Sequence, residues 1–472
     1  MPLMEPKRWL RNSIVQRLMQ LMMENFFGAI GNAIVWLSNL VCGYPLFILL
    51  IGGGLFFLIY SGFVPFRYYG RAIRSLREKE NAKEGQISSF EALTSAIAAT
   101  VGMGNIAGVA IALTMGGPGA IFWMWVSSAV GMATKFFEGT LTIMYRKKDS
   151  SGQVQGGPMY MILNGLGQKW KPMALFFSVS GLVGTLCVMQ SNQLTEAFIT
   201  IFVTPAGIEN TLFLRFMIGV VICLIVAVVI LGGIKRIARI SSMIVPLMVA
   251  IYFILVFYII CTNLPVVPEL FKSIFEGAFN FKAGFGGFIG VAIVGARRAA
   301  LVNEAGVGTA SMMHGASKNE NPVKEGLIAM IAPSIDSGLV CTLTAIAILI
   351  AGDYSAAGGT IKGLEIALNS FESSIPGYGA YLLMLMVFIF AFSTMFSYSY
   401  YGLKCTEFLF GAKYAGYYNY FFLLMLVVAA MIPLETAVSM IDLAYALMAF
   451  PTMIMLFILA PKAKKAMKGV LR

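Results

Sequence analysis

Two glycine-containing segments far apart in the chain have the residue types that could bind a small ionic ligand inside a membrane. Thr100-Val-Gly-Met-Gly-Asn105 and Glu304-Ala-Gly-Val-Gly-Thr309 each place a Gly-x-Gly within an otherwise apolar segment. Glycine lets the backbone leave helical angles, and an interrupted helix exposes N–H and C=O groups that lipid cannot hydrogen-bond. Because such breaks are tolerated where they line a cavity or bind a ligand, the pair predicts a secondary transporter with its substrate and ion sites at the breaks.

The first break offers two kinds of backbone group to a ligand. N–H groups around Gly104 and Asn105 can face a carboxylate, while carbonyls released between Ala98 and Val101 can face a cation. A zwitterionic amino acid together with a cation fits that polarity. Close helix packing is the alternative role for glycine in a membrane. The second Gly-x-Gly and the polar Asn105 favour a binding site.

The second break adds ionisable side chains to an apolar span. Asn303 and Glu304 precede Gly306, and Arg297-Arg298 lies about one to two turns earlier. A charge near the centre of a bilayer is costly, so it normally faces a cavity or a partner. Glu304 therefore either contacts the amino group of a substrate or pairs with Arg298 or Lys135. We favour the pairing, because a free carboxylate would bind cations with little selectivity. The same two interpretations apply to Lys135, Glu138 and Asp336.

Polar side chains in two other spans could complete such a site. Ser393 and Thr394 place adjacent hydroxyls in an apolar segment. A hydrogen bond to the preceding turn would satisfy them without a function, whereas together with bare carbonyls at the first break they would form an all-oxygen site for Na⁺. Residues 190–193, Gln-Ser-Asn-Gln, indicate a lined cavity, because uncharged polar groups in an apolar span are otherwise unsatisfied.

Other chemistries lack the residues that they need. His314 is the single histidine and is expected in a loop, so neither a His-based metal centre nor a His-dependent membrane enzyme is predicted. No Gly-x-x-x-x-Gly-Lys-Ser/Thr motif is present, which argues against direct ATP drive. A channel would need a continuous polar stripe or a filter repeated by symmetry. We therefore predict a carrier with no organic cofactor and no structural metal.

A membrane-spanning scaffold must position these segments. The 472 residues are 58% hydrophobic and 12% charged, which leaves too little polar surface for a soluble globule of this size. Runs of roughly 20 apolar residues, enough to cross about 30 Å of hydrocarbon, indicate about eleven spans. The predicted spans are 42–66, 90–115, 118–145, 172–200, 213–232, 236–262, 286–313, 324–352, 377–411, 416–432 and 437–460.

The formal net charge of +12 is carried mainly by short loops. Lysines and arginines in alternate loops set membrane orientation, so no nucleic-acid partner is predicted. The basic linker, residues 67–89, and the basic tail, residues 462–472, are assigned to the cytoplasm. Residues 1–41 form an amphipathic segment before the first span, and no cleavable leader is expected.

The ten spans after the first divide into two groups of five. Residues 90–262 hold one group and residues 286–461 hold the other, and each begins with a span that contains a Gly-x-Gly. An odd number of helices per group inverts the second relative to the first, as in the inverted repeats of the leucine-transporter fold. Residues 263–285 form an external loop or helix between the groups. Short amphipathic helices are expected at about 268–280 and 360–374.

Several blocks of sequence together resemble the alanine or glycine:cation symporter family of prokaryotes. They extend from about residue 44 to residue 412. The blocks are Thr100-Val-Gly-Met-Gly-Asn-Ile-Ala-Gly-Val109, Gly116-Gly-Pro-Gly-Ala-Ile-Phe-Trp-Met-Trp125, Gly131-Met-Ala-Thr-Lys135, Gly156-Gly-Pro-Met-Tyr160, Asn303-Glu-Ala-Gly306, Ala391-Phe-Ser-Thr394 and Ser397-Tyr-Ser-Tyr-Tyr-Gly402.

The resemblance implies an all-α polytopic protein with a leucine-transporter-like 5+5 inverted repeat and one additional N-terminal transmembrane helix. It also implies import of a small neutral amino acid together with Na⁺. We expect the protein to act as a monomer in the lipid bilayer of the prokaryotic plasma (inner) membrane, with its C-terminus in the cytoplasm.

The residue patterns and the resemblance together predict two sites. The predicted sodium ligands are Ala98, Val101, Ser393 and Thr394. The predicted substrate-binding residues are Gly102, Met103, Gly104, Asn105, Gln190, Val302, Asn303, Glu304 and Gly306.

The chain departs from the resembled family at two places in the predicted pocket. The family usually has Thr where Met103 stands, and Phe-Ser where this chain has Leu301-Val302. Both changes remove hydroxyls and alter the pocket volume, so glutamine or another neutral amino acid is an alternative to alanine or glycine. Proton coupling through Glu304 or Asp336 is the alternative to Na⁺.

Overall fold

The computed structural model describes residues 31–78, 85–148, 152–279, 284–352, 354 and 363–471. Most of its regular structure is helical. The main helices are α1 (Gly31–Val41), α2 (Tyr44–Tyr60), α3 (Tyr69–Ser75), α4 (Ser89–Thr100), α5 (Gly104–Gly116), α6 (Gly119–Tyr145), α7 (Gln168–Val203), α8 (Leu212–Ile230), α9 (Gly233–Thr262), α10 (Val267–Ala278), α11 (Gly284–Asn303), α12 (Thr309–Gly315), α13 (Pro322–Ala351), α14 (Leu364–Ser374), α15 (Gly379–Phe410), α16 (Tyr417–Ala429) and α17 (Leu434–Val470). Shorter helical turns lie at Val64–Arg67, Pro158–Met161, Ile162–Leu166 and Ala412–Ala415, and strands β1 (Lys147–Lys148) and β2 (Val154–Gln155) form an antiparallel pair.

Seven helices of the described chain are long and apolar enough to cross a bilayer: α6, α7, α8, α9, α13, α15 and α17. Two bent pairs, α1 with α2 at 44° and α4 with α5 at 53°, raise this number to nine if each pair is one span. α16 has 13 residues, and the second glycine-containing break separates α11 from α12. The protein is therefore a mostly helical, multi-pass membrane protein.

Local signals in the sequence determine where α4 and α13 begin. Before α4, the Glu91 N–H donates to Ser88 Oγ (3.2 Å) and the Ser88 N–H donates to Glu91 Oε2 (2.8 Å), which is a reciprocal capping box. Before α13, Asn321 Oδ1 accepts the N–H groups of Val323 and Lys324. These side chains satisfy backbone donors that have no partner within the first turn of a helix.

The chain before α4 is tied to the chain after α12. The Lys318 N–H donates to Ile87 O (2.7 Å), as in a parallel β-bridge. Arg146, directly after α6, donates to Ser317 O (2.6 Å). The corresponding ends of α4, α6 and α12 are therefore joined at one end of the bundle.

The prediction that His314 lies in a loop is wrong. His314 is buried in the last turn of α12, and its Nδ1 lies 2.6 Å from Glu325 Oε1 in α13. Glu325 Oε2 also accepts hydrogen bonds from Ser89 Oγ (2.7 Å) and Asn319 Nδ2 (3.1 Å). Glu325 is the polar partner of the buried histidine, and Ser89 and Asn319 in turn hold Glu325 in place. The residues next to His314 in the sequence do not reveal this partner.

Helix α6 lies at the centre of the packing. Every residue from 130 to 143 is buried. Gly139 allows a close approach to α13, since a Cβ at this position would lie 2.7 Å from Ala329 Cβ. At the periphery, α8 and α9 expose apolar side chains such as Val228 (69%) and Ile254 (67%), as expected of helices that face lipid.

The predicted segments lie close to the observed ones. The first span, predicted at 42–66, corresponds to α2 and the turn at Val64–Arg67, whereas α1 lies within residues 1–41, which were predicted to precede the first span. The two short amphipathic helices predicted at about 268–280 and 360–374 correspond to α10 and α14. Residues 1–30 of the predicted amphipathic segment and residues 79–84 of the predicted linker lie outside the described residues.

Candidate functional site

The first break separates α4 from α5. Val101 leaves the helical region (φ −81°, ψ 89°), and α5 begins at Gly104 with a wide π-helical turn. Gly102 lies within the break, where a Cβ would collide with the Thr394 hydroxyl of α15. Glycine is therefore required here because α15 approaches the backbone so closely.

Asn105 holds the first break from inside. Its Oδ1 accepts the Gly102 N–H (2.9 Å), and its Nδ2 donates to Asp336 O of α13 (3.2 Å). The side chain is fully buried. The Asn105 amide is thus occupied within the protein and connects the break to α13.

Thr394 brings a hydroxyl to the first break. Thr394 Oγ1 lies 3.0 Å from Ala98 O and 2.9 Å from Phe390 O, so the back-bond within α15 and the contact with α4 coexist. One hydroxyl proton can serve only one acceptor fully, which leaves oxygen lone pairs for a cation. Ser393 Oγ lies 3.0 Å from Phe390 O and 3.8 Å from Met248 Sδ, so it is turned toward α9.

The second break, between α11 and α12, has an unusual backbone. Glu304 (φ 52°), Gly306 (φ 86°) and Gly308 (φ 95°) are all left-handed. Glycine adopts this conformation without a penalty, whereas any other residue is destabilised by roughly 1–2 kcal/mol. Side-chain contacts must therefore hold Glu304 in place.

Two carboxylates supply those contacts. Glu138 Oε1 of α6 accepts the Gly306 N–H (2.6 Å). Glu304 accepts hydrogen bonds from the hydroxyls of Thr309 and Tyr445, the latter at 3.2 Å. Both glutamates are fully buried and bind the protein's own donors.

The two breaks lie against each other. A Cβ at Gly104 would lie 3.2 Å from Val302 Cγ2. Met103 and Asn303 are buried beside them, and Asn303 Nδ2 has no hydrogen-bond partner within the described chain. The structure therefore brings together the predicted residues of α4–α5 and those of α11–α12.

The polar residues 190–193 of α7 have different roles. Ser191 Oγ donates to Leu426 O (2.7 Å), and Asn192 Nδ2 donates to Ile432 O (2.6 Å), so these two residues attach α7 to α16 and the turn after it. Gln190 is half-buried, and its side chain has no hydrogen-bond partner among residues 31–78, 85–148, 152–279, 284–352, 354 and 363–471. Gln190 can therefore still bind a ligand, whereas Gln193 Nε2 lies 3.5 Å from Asn192 Oδ1.

The arginines before the second break pair with Asp442 and not with Glu304. Asp442 Oδ2 lies 2.5 Å from Arg297 NH2 and 3.7 Å from Arg298 NH2. The prediction that Arg298 could hold Glu304 is therefore wrong, because α17 places a carboxylate beside these arginines. The Lys135 ammonium is buried and makes no hydrogen bond within the described part of the chain.

A cavity of about 1100 Å³ opens at the end of the bundle where α4 begins. Its lining includes Lys235, Arg239 and Lys318 from loops and helix ends, and Tyr400 and Lys404 from α15. Thr394 at the first break and Tyr400 at the cavity wall both belong to α15 and lie about two turns apart. Residues 101–103 and 302–308 are buried, and Gly104 is half-buried, so the cavity does not open directly onto the two breaks.

Sequence reasoning missed two residues of α17, Asp442 and Tyr445. They lie one turn apart and reach Arg297 and Glu304, respectively. A carboxylate in an apolar span is itself a signal that could have identified Asp442. Tyr445 offers no such signal, because tyrosine is compatible with an ordinary apolar position.

Comparison with known proteins adds to this geometry. The profile of the Sodium:alanine symporter family matches residues 28–471. The chain is 37% identical over 432 residues to the sodium/alanine symporter AgcS of Methanococcus maripaludis, which covers 90% of this chain and 93% of AgcS. It is 32% identical over 460 residues to the "Probable sodium/glutamine symporter GlnT" of Bacillus subtilis, which covers 96% of this chain and 92% of GlnT.

A solved structure supports the same fold. MhsT, crystallised in complex with L-phenylalanine, aligns with a TM-score of 0.57 at 13% identity over 81% of this chain and 98% of MhsT. MhsT is a transporter of the leucine-transporter fold, and at this identity the likeness concerns the fold alone. The matched family and relatives are transporters and not enzymes. With a family profile matched over nearly its whole length, the chain belongs to the sodium:alanine symporter family.

Proposed function

We propose that the protein is a sodium-coupled symporter that imports a small neutral amino acid by alternating access. The observation that carries this proposal is the contact between the Thr394 hydroxyl and the Ala98 carbonyl (3.0 Å) at a helix break that lies against a second break. The names of AgcS and GlnT supply alanine and glutamine as the substrates to test.

The proposed sodium site consists of oxygen atoms only. It uses the carbonyls of Ala98 and Val101 and the hydroxyls of Ser393 and Thr394. Ser393 would rotate away from Met248 to take part, which requires only a change between staggered rotamers. Neutral oxygens in a dry site can replace the water shell of a small hard cation.

The proposed substrate site lies between the two breaks. The substrate carboxylate would face the N–H groups of residues 103–105, at the start of α5. Met103 and Val302 would limit the size of the substrate side chain. Gln190 and Asn303, whose side-chain amide donors are unpaired among the described residues, would supply further polar contacts.

We further propose eleven spans in a 5+5 arrangement. The bent pair α1–α2 would be the additional span, α4 to α9 would form the first repeat, and α11 to α17 would form the second. The C-terminus and the 1100 Å³ cavity would then face the cytoplasm, which makes the cavity the exit route. The protein would work as a monomer in the plasma membrane.

The sodium gradient supplies enough energy for this task. One Na⁺ that moves down a membrane potential of about 100 mV and a tenfold concentration gradient releases roughly 3.7 kcal/mol, enough for about 500-fold accumulation. The transport cycle needs no covalent intermediate and no nucleotide.

Uptake into proteoliposomes tests the function directly. The purified full-length chain is reconstituted, and uptake of labelled alanine, glycine and glutamine is measured with an inward gradient of Na⁺ or of K⁺. We expect uptake of at least one of the three only with Na⁺. Sodium-independent uptake that acid stimulates would instead establish proton coupling, and no uptake of any of the three amino acids would refute the proposal.

Thr394→Ala tests the sodium site. Loss of the hydroxyl removes one of the proposed ligands, so the sodium concentration for half-maximal uptake should rise by about tenfold or more, as expected for a lost interaction of about 1.4 kcal/mol. Thr394→Ser keeps the hydroxyl and should stay within a few-fold of the parent. An unchanged sodium activation curve for Thr394→Ala would place the ion elsewhere.

A further inference from the structure

Helix α15 contacts the first break and also reaches toward the second. Thr394 Oγ1 lies 3.0 Å from Ala98 O at the first break. Tyr398 follows one turn later on the same face of α15, because residues four positions apart on a helix lie one above the other. Both side chains are buried. The face of α15 that carries the proposed sodium ligand therefore also carries a phenol.

A chain of hydrogen bonds connects the phenol of Tyr398 to the second break. The Tyr398 hydroxyl is hydrogen-bonded to the hydroxyl of Tyr445 in α17. The Tyr445 hydroxyl donates to Glu304 Oε1 (3.2 Å), and Glu304 Oε2 accepts the hydroxyl of Thr309, the first residue of α12. A phenol has one proton, and Tyr445 donates its proton to Glu304, so Tyr398 must be the donor to Tyr445. The chain therefore has one direction, from α15 to the second break.

The residue at the end of this chain has a strained backbone. Glu304 is left-handed (φ 52°), which is unfavourable for a residue other than glycine. Its side chain is fully buried, so protein groups supply its hydrogen bonds. The bond from Tyr445 joins Glu304 to α17, and the bond from Tyr398 joins Tyr445 to α15. A displacement of α15 relative to α4 would therefore change the contacts that hold Glu304.

Packing holds the two phenol rings independently of their hydroxyls. A Cβ at Gly184 of α7 would lie 3.3 Å from Tyr445 Cδ1, so α7 packs closely against this ring. The centroid of the Tyr398 ring lies 5.5 Å from that of Tyr401. The Tyr401 hydroxyl is buried and has no hydrogen-bond partner within the described chain. A phenylalanine in place of either tyrosine of the chain should therefore keep the ring and lose the hydroxyl, and Tyr401 supplies a matched control.

We propose that Tyr398 and Tyr445 couple sodium binding at the first break to substrate binding at the second. The ion bridges α4 and α15 through Ala98 and Thr394, which fixes the position of α15. Tyr398 is then held where it donates to Tyr445, and Tyr445 keeps Glu304 in the conformation that supports the substrate. Both tyrosines are positioning residues, because they act on the substrate site through Glu304.

The inference rests on the proposed sodium-coupled uptake and is tested by substrate binding to the detergent-purified full-length chain. The probe is whichever of labelled alanine, glycine and glutamine the parent transports, and its Kd is measured at low and at saturating Na⁺. In the parent, saturating Na⁺ should lower the Kd by about tenfold, a typical coupling between two sites. In Tyr398→Phe and in Tyr445→Phe, this change should shrink to about twofold or less. The double variant should show no further loss, because both substitutions break the same chain.

Thermal unfolding separates a loss of coupling from a loss of stability. Tyr445→Phe removes a donor to a carboxylate, whereas Tyr398→Phe removes only a bond between two hydroxyls, so Tyr445→Phe should unfold at the lower temperature. The loss of coupling should nevertheless be equal in the two variants. If Tyr445→Phe does not fold, Tyr398→Phe alone decides the test, since it leaves the bond between Tyr445 and Glu304 intact. Tyr401→Phe should retain the coupling of the parent.

The outcomes distinguish the inference from the proposed function. If the parent takes up none of the three amino acids with Na⁺, the proposed function fails, and the inference fails with it. If the parent takes one up with Na⁺ but binds it equally well at low and at saturating Na⁺, the function stands and the inference fails. The inference also fails if Tyr398→Phe retains the coupling of the parent, or if Tyr401→Phe loses as much coupling as Tyr398→Phe.

Discussion

The two helix breaks have the same Gly-x-Gly sequence and are stabilised by different chemistry. In the first break, a neutral amide and a neutral hydroxyl, from Asn105 and Thr394, contact the backbone. In the second, the carboxylates of Glu138 and Glu304 hold a backbone with three left-handed residues. The two segments are therefore similar in sequence but are stabilised by different contacts.

The difference indicates different tasks. Neutral groups satisfy the first break while leaving carbonyl and hydroxyl oxygens able to bind a cation. The carboxylates of the second break are already engaged by the Gly306 N–H and by the hydroxyls of Thr309 and Tyr445. We infer that the first break is the one that binds and releases an ion, and that the second is a rigid support for the substrate.

The largest effect on stability is expected for Glu304→Ala in the second break. This change removes the acceptor of two hydroxyl hydrogen bonds, and bonds to a charged group contribute about 1.5–3 kcal/mol each, so the free energy of unfolding should fall by about 3–6 kcal/mol. Asn105→Ala in the first break is the matched variant, and it loses only bonds between neutral groups, about 1 kcal/mol each.

Thermal unfolding of the two detergent-purified variants measures this difference. Glu304→Ala should unfold at a clearly lower temperature than Asn105→Ala. Equal losses would mean that the carboxylates contribute no more than the neutral contacts, and the proposed division of tasks would then lose its energetic basis.

A smaller effect is expected for Gly306→Ala. A side chain at φ 86° costs about 1–2 kcal/mol, and the new Cβ would lie 2.8 Å from both Leu50 Cδ2 and Met453 Sδ. Gly108→Ala in α5, shortly after the first break, is the control, because Gly108 has an ordinary helical backbone and no atom within 4 Å of a new Cβ. Only Gly306→Ala should lower the unfolding temperature. A comparable loss for Gly108→Ala would show that the loss at Gly306 does not come from its left-handed backbone.

Sequence alone predicts the helical, multi-pass character of the chain and the positions of most of its long helices. Apolar runs locate the spans because the length of hydrocarbon to be crossed is fixed, and Gly-x-Gly locates the breaks because few other residues tolerate them. The contact between Ala98 and Thr394, 296 residues apart, was predicted through the resemblance to a known family.

The partners of the charged residues could not be predicted from local pattern. Glu138 and Gly306 are 168 residues apart, and Arg297 and Asp442 are 145 apart. A buried charge shows that a partner must exist, but several spans offer one. His314 was misplaced for the same reason, since its partner Glu325 belongs to another helix.

The smallest predicted effect is a change in substrate discrimination caused by a substitution between the two breaks. Met103 and Val302 belong to opposite breaks, and both are buried next to Gly104. Met103→Thr shortens the side chain and adds a hydroxyl, so the proposed substrate site would gain room for a longer polar substrate.

Competition between labelled alanine and unlabelled glutamine measures this change. Differences of about one methylene group typically alter discrimination by about tenfold or more, so glutamine should compete about tenfold better in Met103→Thr. Met103→Leu preserves the volume and should change the ratio by less than a few-fold. If Met103→Thr alters alanine and glutamine uptake equally, Met103 lies outside the pocket. The first break would then bind the ion alone, with the substrate side chain held by the second break.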